Sequence, residues 1–529
     1  MYTGVVFPRR YTPVRSDRMH LHENETIGSV LHAVAARYPE RTAVIDANRR
    51  LSYAELDRLV DQTAATMLSL GIQKASHVGI WAKDDADTLT VLYALWRIGA
   101  VPVPLCTSFL RTELETCCLA ADVSCLFVGT GHKGQDFAQD IGPLQIPVTV
   151  YPIDAATGCV SGSADAVAVA EALVVPSDPD TILFTSGTTG HAKPVLTTHY
   201  ARVNTMYAQA EIFRAVPEDV FCSVLPMYHC FSLTATVLAA MSAGACVCFP
   251  ADRRSQTILQ TIEQERCSVL TAVPTLFSAL LRRLETLDVD LRSLKKGMIG
   301  GSTYSEEFFL QISHALGFTL LSSLGQTEAT AGLTGCTMED SLSVRARTIG
   351  RFFPLVEGSI RDPRTNQPLG PGKEGEICVR GYNVMEGYYK LPEATAKVID
   401  ADGWLHTGDL GSLDENGYVR YTGRLKELII RGGENIAPSE LEDILSTDPR
   451  ILQAKVIGIP DPHYTEEICA CIVKEGNLTE DDVRQMIAAR AADFKVPKYV
   501  LFMDTLPMTA VGKVDLRALR KQAAEILGC

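Results

Sequence analysis

Residues 185–193 read Thr-Ser-Gly-Thr-Thr-Gly-His-Ala-Lys and come directly after the apolar run Ile182-Leu183-Phe184. A loop that leaves a strand with hydroxyl side chains and two nearby glycines can present many hydrogen-bond donors to phosphate oxygens. The lysine adds a compact positive charge. We therefore predict a polyphosphate-binding loop. Its candidate residues are Thr185, Ser186, Gly187, Thr188, Thr189, Gly190 and Lys193.

This loop differs from the P-loop of kinases, which follows the pattern G-x-x-x-x-G-K-S/T. Its two glycines are three positions apart, and Pro194 stands where the P-loop has Ser or Thr. Proline also biases the preceding lysine toward an extended backbone. An ordinary kinase-type P-loop is therefore disfavoured.

The segments on both sides of the loop alternate amphipathic helices with short apolar strands. A capping box at Ser52-Tyr53-Ala54-Glu55 predicts a helix that runs through Leu70. Strands are predicted at residues 78–81, 100–105, 220–225, 245–249 and 269–272, and helices at residues 88–98, 233–242 and 257–265. Alternation of this kind implies βαβ units and parallel sheets, and hence an α/β protein.

The composition changes after Gly350 to short strands among Gly, Pro and Asp residues, and a compact α+β segment follows Gly423. We predict a large N-terminal domain of parallel-sheet αβα subdomains over residues 1–425, which includes a distorted β-rich subdomain at about residues 345–425. A small α+β C-terminal domain is predicted over residues 426–529, so that the boundary lies between Leu425 and Lys426.

The overall composition excludes some classes of protein. The chain has 529 residues, of which 46% are hydrophobic, and a net charge of -14, which disfavours broad binding to nucleic acids or anionic membranes. Its 15 cysteines lack zinc-site spacing and are predicted to be buried thiols in a reducing compartment. The apolar stretch 220–250 is interrupted by Pro226, His229 and Gly244. We expect a cytoplasmic protein without a transmembrane segment or a signal peptide.

Seven further segments accompany the phosphate loop in a fixed order. They are Pro226-Met227-Tyr228-His229, Gly300-Gly301-Ser302, Gly325-Gln326-Thr327-Glu328, residues 403–409, Arg424 with Lys426, residues 431–440 and residues 506–513. Together with the loop they resemble the adenylate-forming superfamily of acyl- and aryl-CoA synthetases, adenylation domains and luciferases. The resemblance covers residues 26–519.

The resemblance implies a site for ATP and Mg²⁺. Thr327 would lie near the α-phosphate, Glu328 would bind Mg²⁺ as a hard oxygen ligand, and Lys513 would be the catalytic lysine. The other residues assigned to the nucleotide are Gly300, Gly301, Ser302, Leu324, Gly325, Gln326, Asp409 and Arg424. Leu324 replaces an aromatic residue that usually stacks on adenine, which forfeits on the order of 1 kcal/mol of stacking.

The resemblance also implies sites for the acid and for CoA. His229 is the candidate gate of the acid pocket, and the absence of an Asp between Pro226 and Ser232 disfavours an amino acid substrate. Gly432 and Gly433 would border a pantetheine tunnel, because a side chain there would narrow it. Relatives rotate the small C-terminal domain about a hinge at the position of Lys426, which makes that domain mobile.

The predicted function is ATP-dependent activation of an apolar monocarboxylic acid, fatty or aryl, to acyl-AMP, followed by thioester formation with CoA. One alternative is an acyl-AMP ligase that loads the phosphopantetheine arm of a carrier protein. Another is a non-catalytic sensor of nucleotides or acyl-adenylates, which the departures at Leu324, Ala192 and Pro194 favour. Luciferase-type oxidation is a further alternative. The acid and the oligomeric state stay open.

Overall fold

The structure is a computed structural model. It describes residues 20–131, 135–141, 144–157, 162–185, 192–431, 434–461, 464–509 and 513–528.

Twenty-five strands lie in the described residues. They are β1 (Thr42–Ile45), β2 (Arg50–Ser52), β3 (His77–Trp81), β4 (Val101–Pro104), β5 (Cys125–Val128), β6 (Thr149–Pro152), β7 (Pro179–Phe184), β8 (Pro194–Thr198), β9 (Val220–Ser223), β10 (Cys246–Cys248), β11 (Val269–Ala272), β12 (Lys296–Ile299), β13 (Thr319–Leu324), β14 (Thr334–Gly335), β15 (Arg351–Phe352), β16 (Glu357–Arg361), β17 (Glu374–Arg380), β18 (Gly387–Tyr388), β19 (Leu405–Leu413), β20 (Val419–Arg424), β21 (Ile429–Arg431), β22 (Glu434–Ile436), β23 (Ile451–Asp461), β24 (Thr465–Lys474) and β25 (Tyr499–Phe502).

The helices of the described residues are α1 (Ile27–Arg37), α2 (Tyr53–Ser69), α3 (Ala86–Arg97), α4 (Arg111–Ala120), α5 (Phe137–Asp140), α6 (Ile153–Thr157), α7 (Ala164–Ala172), α8 (His199–Phe213), α9 (Cys230–Ser232), α10 (Ala239–Ser242), α11 (Ser255–Gln264), α12 (Pro274–Leu284), α13 (Glu306–Leu316), α14 (Leu342–Arg347), α15 (Pro392–Ala396), α16 (Pro438–Leu445), α17 (Glu480–Ala488) and α18 (Leu516–Leu527). A π-helix at Leu233–Leu238 joins α9 to α10, and 3-10 turns lie at Thr327–Ala329, Leu425–Glu427 and Asp493–Lys495.

Two sheets with parallel cores form the first part of the chain. The larger has the strand order β15-β14-β13-β12-β11-β9-β10-β1-β2, and its central strands, from β13 to β1, run parallel. The smaller has the order β4-β3-β5-β6 and is parallel throughout. These sheets confirm the predicted α/β class, and the predicted strand at residues 269–272 is found with the same bounds.

The parallel strands position the predicted motifs. The glycine turn at Gly300 follows β12, the segment beginning at Gly325 follows β13, and the segment beginning at Pro226 follows β9 after two residues. Strands β9, β11, β12 and β13 are neighbours in one sheet, so their carboxyl ends meet along one edge. This is the edge at which open α/β sheets bind ligands.

Smaller sheets complete the fold. The β7–β8 hairpin, which flanks the phosphate loop, pairs with β18. An antiparallel sheet of order β16-β17-β19-β20 forms the predicted β-rich region. Strands β21 to β25 form a separate sheet, whose apolar residues build two core clusters drawn entirely from residues 429–527.

The apolar stretch 220–250 folds as predicted, as a strand, a loop, a helix and a second strand. No helix of the described residues is long and apolar enough to cross a membrane. The helix differs from the prediction in one respect, because it begins at Cys230 and contains the π-helix. Tertiary hydrogen bonds explain the wider turn: Thr234 accepts from Arg202, and the Thr236 hydroxyl lies 2.7 Å from that of Thr271.

The cysteines of the described residues are thiols. Thirteen free cysteines are found, and twelve of them are buried. Cys230 is the exception within the described part of the chain, because it is half-buried at the start of α9.

Candidate active site

The Lys513 side chain lies at the glycine turn that follows β12. Gly301 has φ +82°, and a Cβ placed there would lie 3.7 Å from Lys513 Cε and 4.0 Å from Lys513 Nζ. The turn and the lysine are therefore in contact, although more than two hundred residues separate them in sequence. The neighbouring Gly300 is buried, and Ser302 is exposed at the mouth of the site.

The loop that carries Lys513 is closed by hydrogen bonds at its neck. The Thr509 backbone N–H donates to the Lys513 carbonyl at 2.7 Å, and the Lys513 N–H donates to Thr509 Oγ1 at 3.2 Å. Burial lowers the pKa of Lys513, and the positive charge of Arg424 lowers it further, whereas Cys230 and Asp409 oppose the shift. A bound anion at this position would restore the charged form.

A buried ion pair lies beside the lysine. Asp409 on β19 faces Arg424 on β20 in the antiparallel register, and Arg424 Nε donates to Asp409 Oδ1 at 2.7 Å. The Asp409 carboxylate is fully buried, but its Oδ2 has no hydrogen-bond partner among the described residues. Burial raises the pKa of Asp409, and Arg424 opposes that shift. A buried carboxylate oxygen without a donor is costly, so this atom fits the hydroxyl groups of a ribose.

Glu328 lies in the 3-10 turn after β13 and is held by a tyrosine. Tyr388 Oη donates to Glu328 Oε1 at 2.7 Å, and the Glu328 backbone carbonyl accepts from the Met385 N–H at 2.9 Å. The other carboxylate oxygen, Oε2, accepts no hydrogen bond from the described residues. Because Mg²⁺ prefers oxygen ligands and keeps part of its water shell, this half-buried carboxylate fits a magnesium ligand.

Lys193 reaches the same group from the phosphate hairpin. Its Nζ lies 4.5 Å from the centroid of the Tyr388 ring, in a cation–π contact. At the neck of the loop, the Thr185 N–H donates to the Lys193 carbonyl at 3.1 Å. Both residues at the ends of the loop thus face the Glu328 side of the site. The predicted residues Ser186, Gly187, Thr188, Thr189 and Gly190 lie outside the described residues, as do Gly432 and Gly433.

The turn after β13 is held in a strained backbone conformation. A Cβ at Gly325 would lie 1.8 Å from the Ala331 carbonyl oxygen, so only glycine fits there. Thr330 and Ala331 both have positive φ, at 52° and 83°, and Thr330 Oγ1 donates to the Asn383 carbonyl at 2.8 Å. Strain of this kind concentrates at functional sites. It fixes the direction in which Glu328 points.

The remaining predicted residues line the strand ends. Thr327 Oγ1 lies 3.8 Å from Cys230 Sγ, which links the turn after β13 to the start of α9. The Gln326 Nε2 atom is buried and has no partner among the described residues. Leu324 is half-buried and packs against the largest core cluster.

His229 is held as a neutral imidazole. Burial lowers the pKa of His229 to about 3, with further lowering by Lys513 and Arg253, while Asp84 opposes the shift. Its Nε2 atom is buried and makes no hydrogen bond to a described residue. A neutral, unpaired imidazole beside Lys513 suits the predicted position at the boundary of the acid pocket.

A second donor cluster within the described residues is not a magnesium site. Glu376, Cys378 and His406 place one donor atom each within 4.8 Å of one another. His406 Nδ1 lies 2.8 Å from Glu376 Oε2 and 3.5 Å from Cys378 Sγ, so the three groups already satisfy one another. Thiol and imidazole are also softer donors than Mg²⁺ prefers. We interpret this cluster as support for the adjoining strand that carries Asp409.

Several residues of the site carry no signal in the sequence. Tyr388 and Asp84 reach it only through contacts across 60 and 143 positions of the chain. Cys230 could have been singled out, because it directly follows the predicted gate His229.

Comparison with known proteins agrees with this site. The profile of the AMP-binding enzyme family matches residues 31–389, and that of the AMP-binding enzyme C-terminal domain matches residues 440–513. A Bacillus subtilis (strain 168) protein provisionally named acyl-CoA synthetase YngI is 36% identical, over 95% of this chain and 98% of its own. A Mycobacterium tuberculosis CoA ligase for a methyl-dioxo-octahydroindenyl propanoyl group is 34% identical, over 95% and 99%. The crystal structure of ATP-bound MatB from Rhodopseudomonas palustris superposes with a TM-score of 0.82 at 27% identity, over 95% and 100%.

The fold and the site define an adenylate-forming enzyme, and the chain belongs to the AMP-binding enzyme family. Within that family it is an acyl-CoA synthetase, an AMP-forming acid:CoA ligase that uses ATP, Mg²⁺ and CoA. The resemblance seen in the sequence is therefore confirmed.

Proposed function

We propose that this protein activates an apolar monocarboxylic acid to an acyl-adenylate at the Lys513 site and then transfers the acyl group to CoA. One observation carries the proposal. Lys513, the Asp409–Arg424 pair and the Gly301 turn come from three separate stretches of the chain and meet at one point. A free buried carboxylate oxygen beside two cations suits a nucleotide, whose ribose donates hydrogen bonds and whose phosphates carry negative charge.

In the first half-reaction a carboxylate attacks the α-phosphate of ATP, and pyrophosphate leaves. Two anions must approach, so the site has to neutralise charge on the α-phosphate and on the leaving group. Lys513 and Lys193 supply positive charge from opposite sides of the pocket, and the Thr327 hydroxyl supplies a donor. Asp409 holds the ribose, and hence the α-phosphate, in place. No covalent nucleophile of the enzyme is needed.

Glu328 is the proposed magnesium ligand, and Tyr388 orients it. Bound Mg²⁺ neutralises charge on the phosphoryl oxygens and polarises them. Tyr388 holds one carboxylate oxygen of Glu328 and leaves the other free, while the strained turn at Thr330 and Ala331 fixes the backbone.

In the second half-reaction the CoA thiol attacks the acyl-adenylate and AMP leaves. The lysine that served the first step must give way to the thiol arm. We place the domain boundary between Leu425 and Lys426 and a hinge at Lys426; the separate core clusters of residues 429–527 support a C-terminal unit that moves as one body. Rotation would withdraw Lys513 and bring Gly432 and Gly433 to the pocket, as gates of this kind do in other enzymes.

The charges near the acid pocket support an apolar acid. Arg202 lies near Cys230 but forms a fully buried pair with Asp180. Arg253 lies near His229 but is paired with Asp84. Because both arginines are already compensated, neither is available to bind a second carboxylate of the substrate. The Mycobacterium tuberculosis relative acts on a largely hydrocarbon ring acid, which agrees with this assignment.

The test is mass spectrometry of the purified protein with Mg-ATP, CoA and a library of mono- and dicarboxylic acids. We expect AMP together with one or a few acyl-CoA products from apolar monocarboxylic acids. A preference for dicarboxylic acids would contradict the substrate class alone.

Two other outcomes would overturn the proposal itself. Accumulation of acyl-AMP without a thioester would transfer the acceptor role to the phosphopantetheine arm of a carrier protein. No AMP with any acid would favour a nucleotide- or adenylate-binding sensor.

A further inference from the structure

Three strand ends from two different sheets meet beside the predicted gate His229. Asp84 follows β3 of the smaller sheet, whereas Met227 follows β9 and Arg253 follows β10 of the larger sheet. The Met227 backbone N–H donates to Asp84 Oδ1 at 3.0 Å, and Arg253 Nη2 donates to Asp84 Oδ2 at 2.6 Å. One carboxylate therefore binds all three segments together.

The Asp84 carboxylate is well shielded from water. Its side chain is 8% exposed, and Arg253 is 29% exposed. A buried carboxylate is costly unless it is paired and hydrogen-bonded, so both bonds are needed to keep Asp84 in place. The Arg253 guanidinium compensates the charge, which leaves the other oxygen to hold the backbone of Met227.

The held backbone leads directly to His229. Met227 is two residues before it, and the His229 N–H donates to the Pro226 carbonyl at 3.0 Å, which closes a tight turn. Asp84 and Arg253 also act electrostatically on the imidazole, with opposite signs. The position of the imidazole thus depends on where Asp84 holds the turn.

We propose that Asp84 is a positioning residue for the acid pocket, which acts by fixing the Pro226–His229 turn through the Met227 N–H. The proposal deepens the function proposed above and rests on it. It makes a specific demand: loss of Asp84 should weaken use of the acid while the ATP site, built from Asp409, Arg424 and Lys513, is unaffected.

The chain offers a matched control in the next residue. Asp85 is the N-cap of α3 and accepts a hydrogen bond from the Thr88 N–H at 2.9 Å. It has the same charge, lies on the same loop and is also largely buried, yet its cap bond is made within the helix. Asp85→Ala therefore reports the effect of disturbing the start of α3.

The experiment measures KM for ATP and for the acid during AMP formation by the full-length protein, with octanoate and benzoate as probe acids. We expect Asp84→Ala to raise the acid KM about tenfold, because a charge-assisted bond to the turn is lost, and to leave the ATP KM within about twofold. Asp84→Asn should restore much of the acid KM, since its amide oxygen can still accept from Met227. Asp85→Ala should lower the thermal midpoint without changing the acid KM.

Several results would overturn the positioning role. They are a parallel rise of both KM values in Asp84→Ala, an equal effect of Asp85→Ala, and no rescue by Asp84→Asn. Should Asp84→Ala fail to fold, Arg253→Gln serves instead, because it leaves Asp84 in place with its charge uncompensated. We then expect an acid KM about threefold higher at constant ATP KM, and an unchanged acid KM would count against the proposal.

Failure of the proposed function gives a different pattern. A wild-type protein that forms no AMP with either probe or any acid of the library would remove both proposals. A wild-type protein that is active, with variants that show no split between the two KM values, would remove the role of Asp84 alone.

Discussion

Replacing Asp409 with Asn tests how the nucleotide is held. Asn has nearly the same shape, and its Oδ1 can still accept from Arg424 Nε, so the pair that now spans 2.7 Å should persist as a neutral hydrogen bond. The change falls on Oδ2, the buried oxygen without a partner in the described part of the chain, which becomes an amide NH₂. A ribose hydroxyl that donated to a carboxylate then loses a charged acceptor.

The expected magnitude follows from the type of bond. Hydrogen bonds to charged groups contribute about 1.5–3 kcal/mol, and neutral bonds about 0.5–1.5 kcal/mol. The substitution should therefore cost about 1–1.5 kcal/mol per ribose hydroxyl, or about a tenfold rise in the Kd for ATP. The thermal midpoint should change little, because the bond to Arg424 is kept.

The assay is isothermal titration of ATP and of 2′-deoxy- and 3′-deoxy-ATP into the wild type and Asp409→Asn, without any acid. The wild type should bind ATP more tightly than at least one deoxy analogue, and the variant should lose most of that preference. Asp414→Asn is the matched control, since Asp414 lies in the turn after the same strand and accepts from the Asn416 and Tyr418 N–H groups. An undiminished preference for ATP in Asp409→Asn would refute the ribose assignment.

Three further predictions concern the phosphate side of the site. Lys513→Ala should slow acyl-adenylate formation about 10²- to 10³-fold, as seen when one preorganised charge-stabilising group is removed, while thioester formation from preformed acyl-adenylate persists. Because burial lowers the pKa of Lys513, kcat/KM for ATP should fall as pH rises through that lowered pKa and the ammonium is lost; Lys513→Arg, which stays charged, should move the fall to higher pH. Tyr388→Phe keeps the ring beneath Lys193 but removes the donor to Glu328 Oε1, so the Mg²⁺ concentration for half-maximal adenylation should rise about tenfold.

Each of these has a contradicting result. Equal loss of both half-reactions in Lys513→Ala would end the division of roles between them. A pH profile unchanged by Lys513→Arg would assign the descending limb to another group. An unaltered Mg²⁺ requirement in Tyr388→Phe would show that Glu328 needs no orientation by the tyrosine.

Features of the fold with local causes were predictable. The capping box at Ser52 and Glu55 is present, with the Glu55 N–H donating to Ser52 Oγ at 3.2 Å, because both partners lie within one turn of helix. The short apolar runs became strands in the expected places, because burial on both faces of a parallel sheet demands continuous apolar sequence. The π-helix was missed, since its hydrogen bonds to Arg202 and Thr271 come from distant elements.

The sequence by itself determined the chemistry that this chain can perform. The phosphate loop, the carboxylates at 328 and 409 and the lysine at 513 are recognisable because their order and spacing are properties of the chain alone. Tertiary structure decided which of these groups meet and how each is supported. Tyr388 holds Glu328, Asp84 holds Met227, and one oxygen of Asp409 is left free because Arg424 occupies the other. Side-chain contacts across tens to hundreds of residues depend on how the sheets pack, which local sequence does not specify.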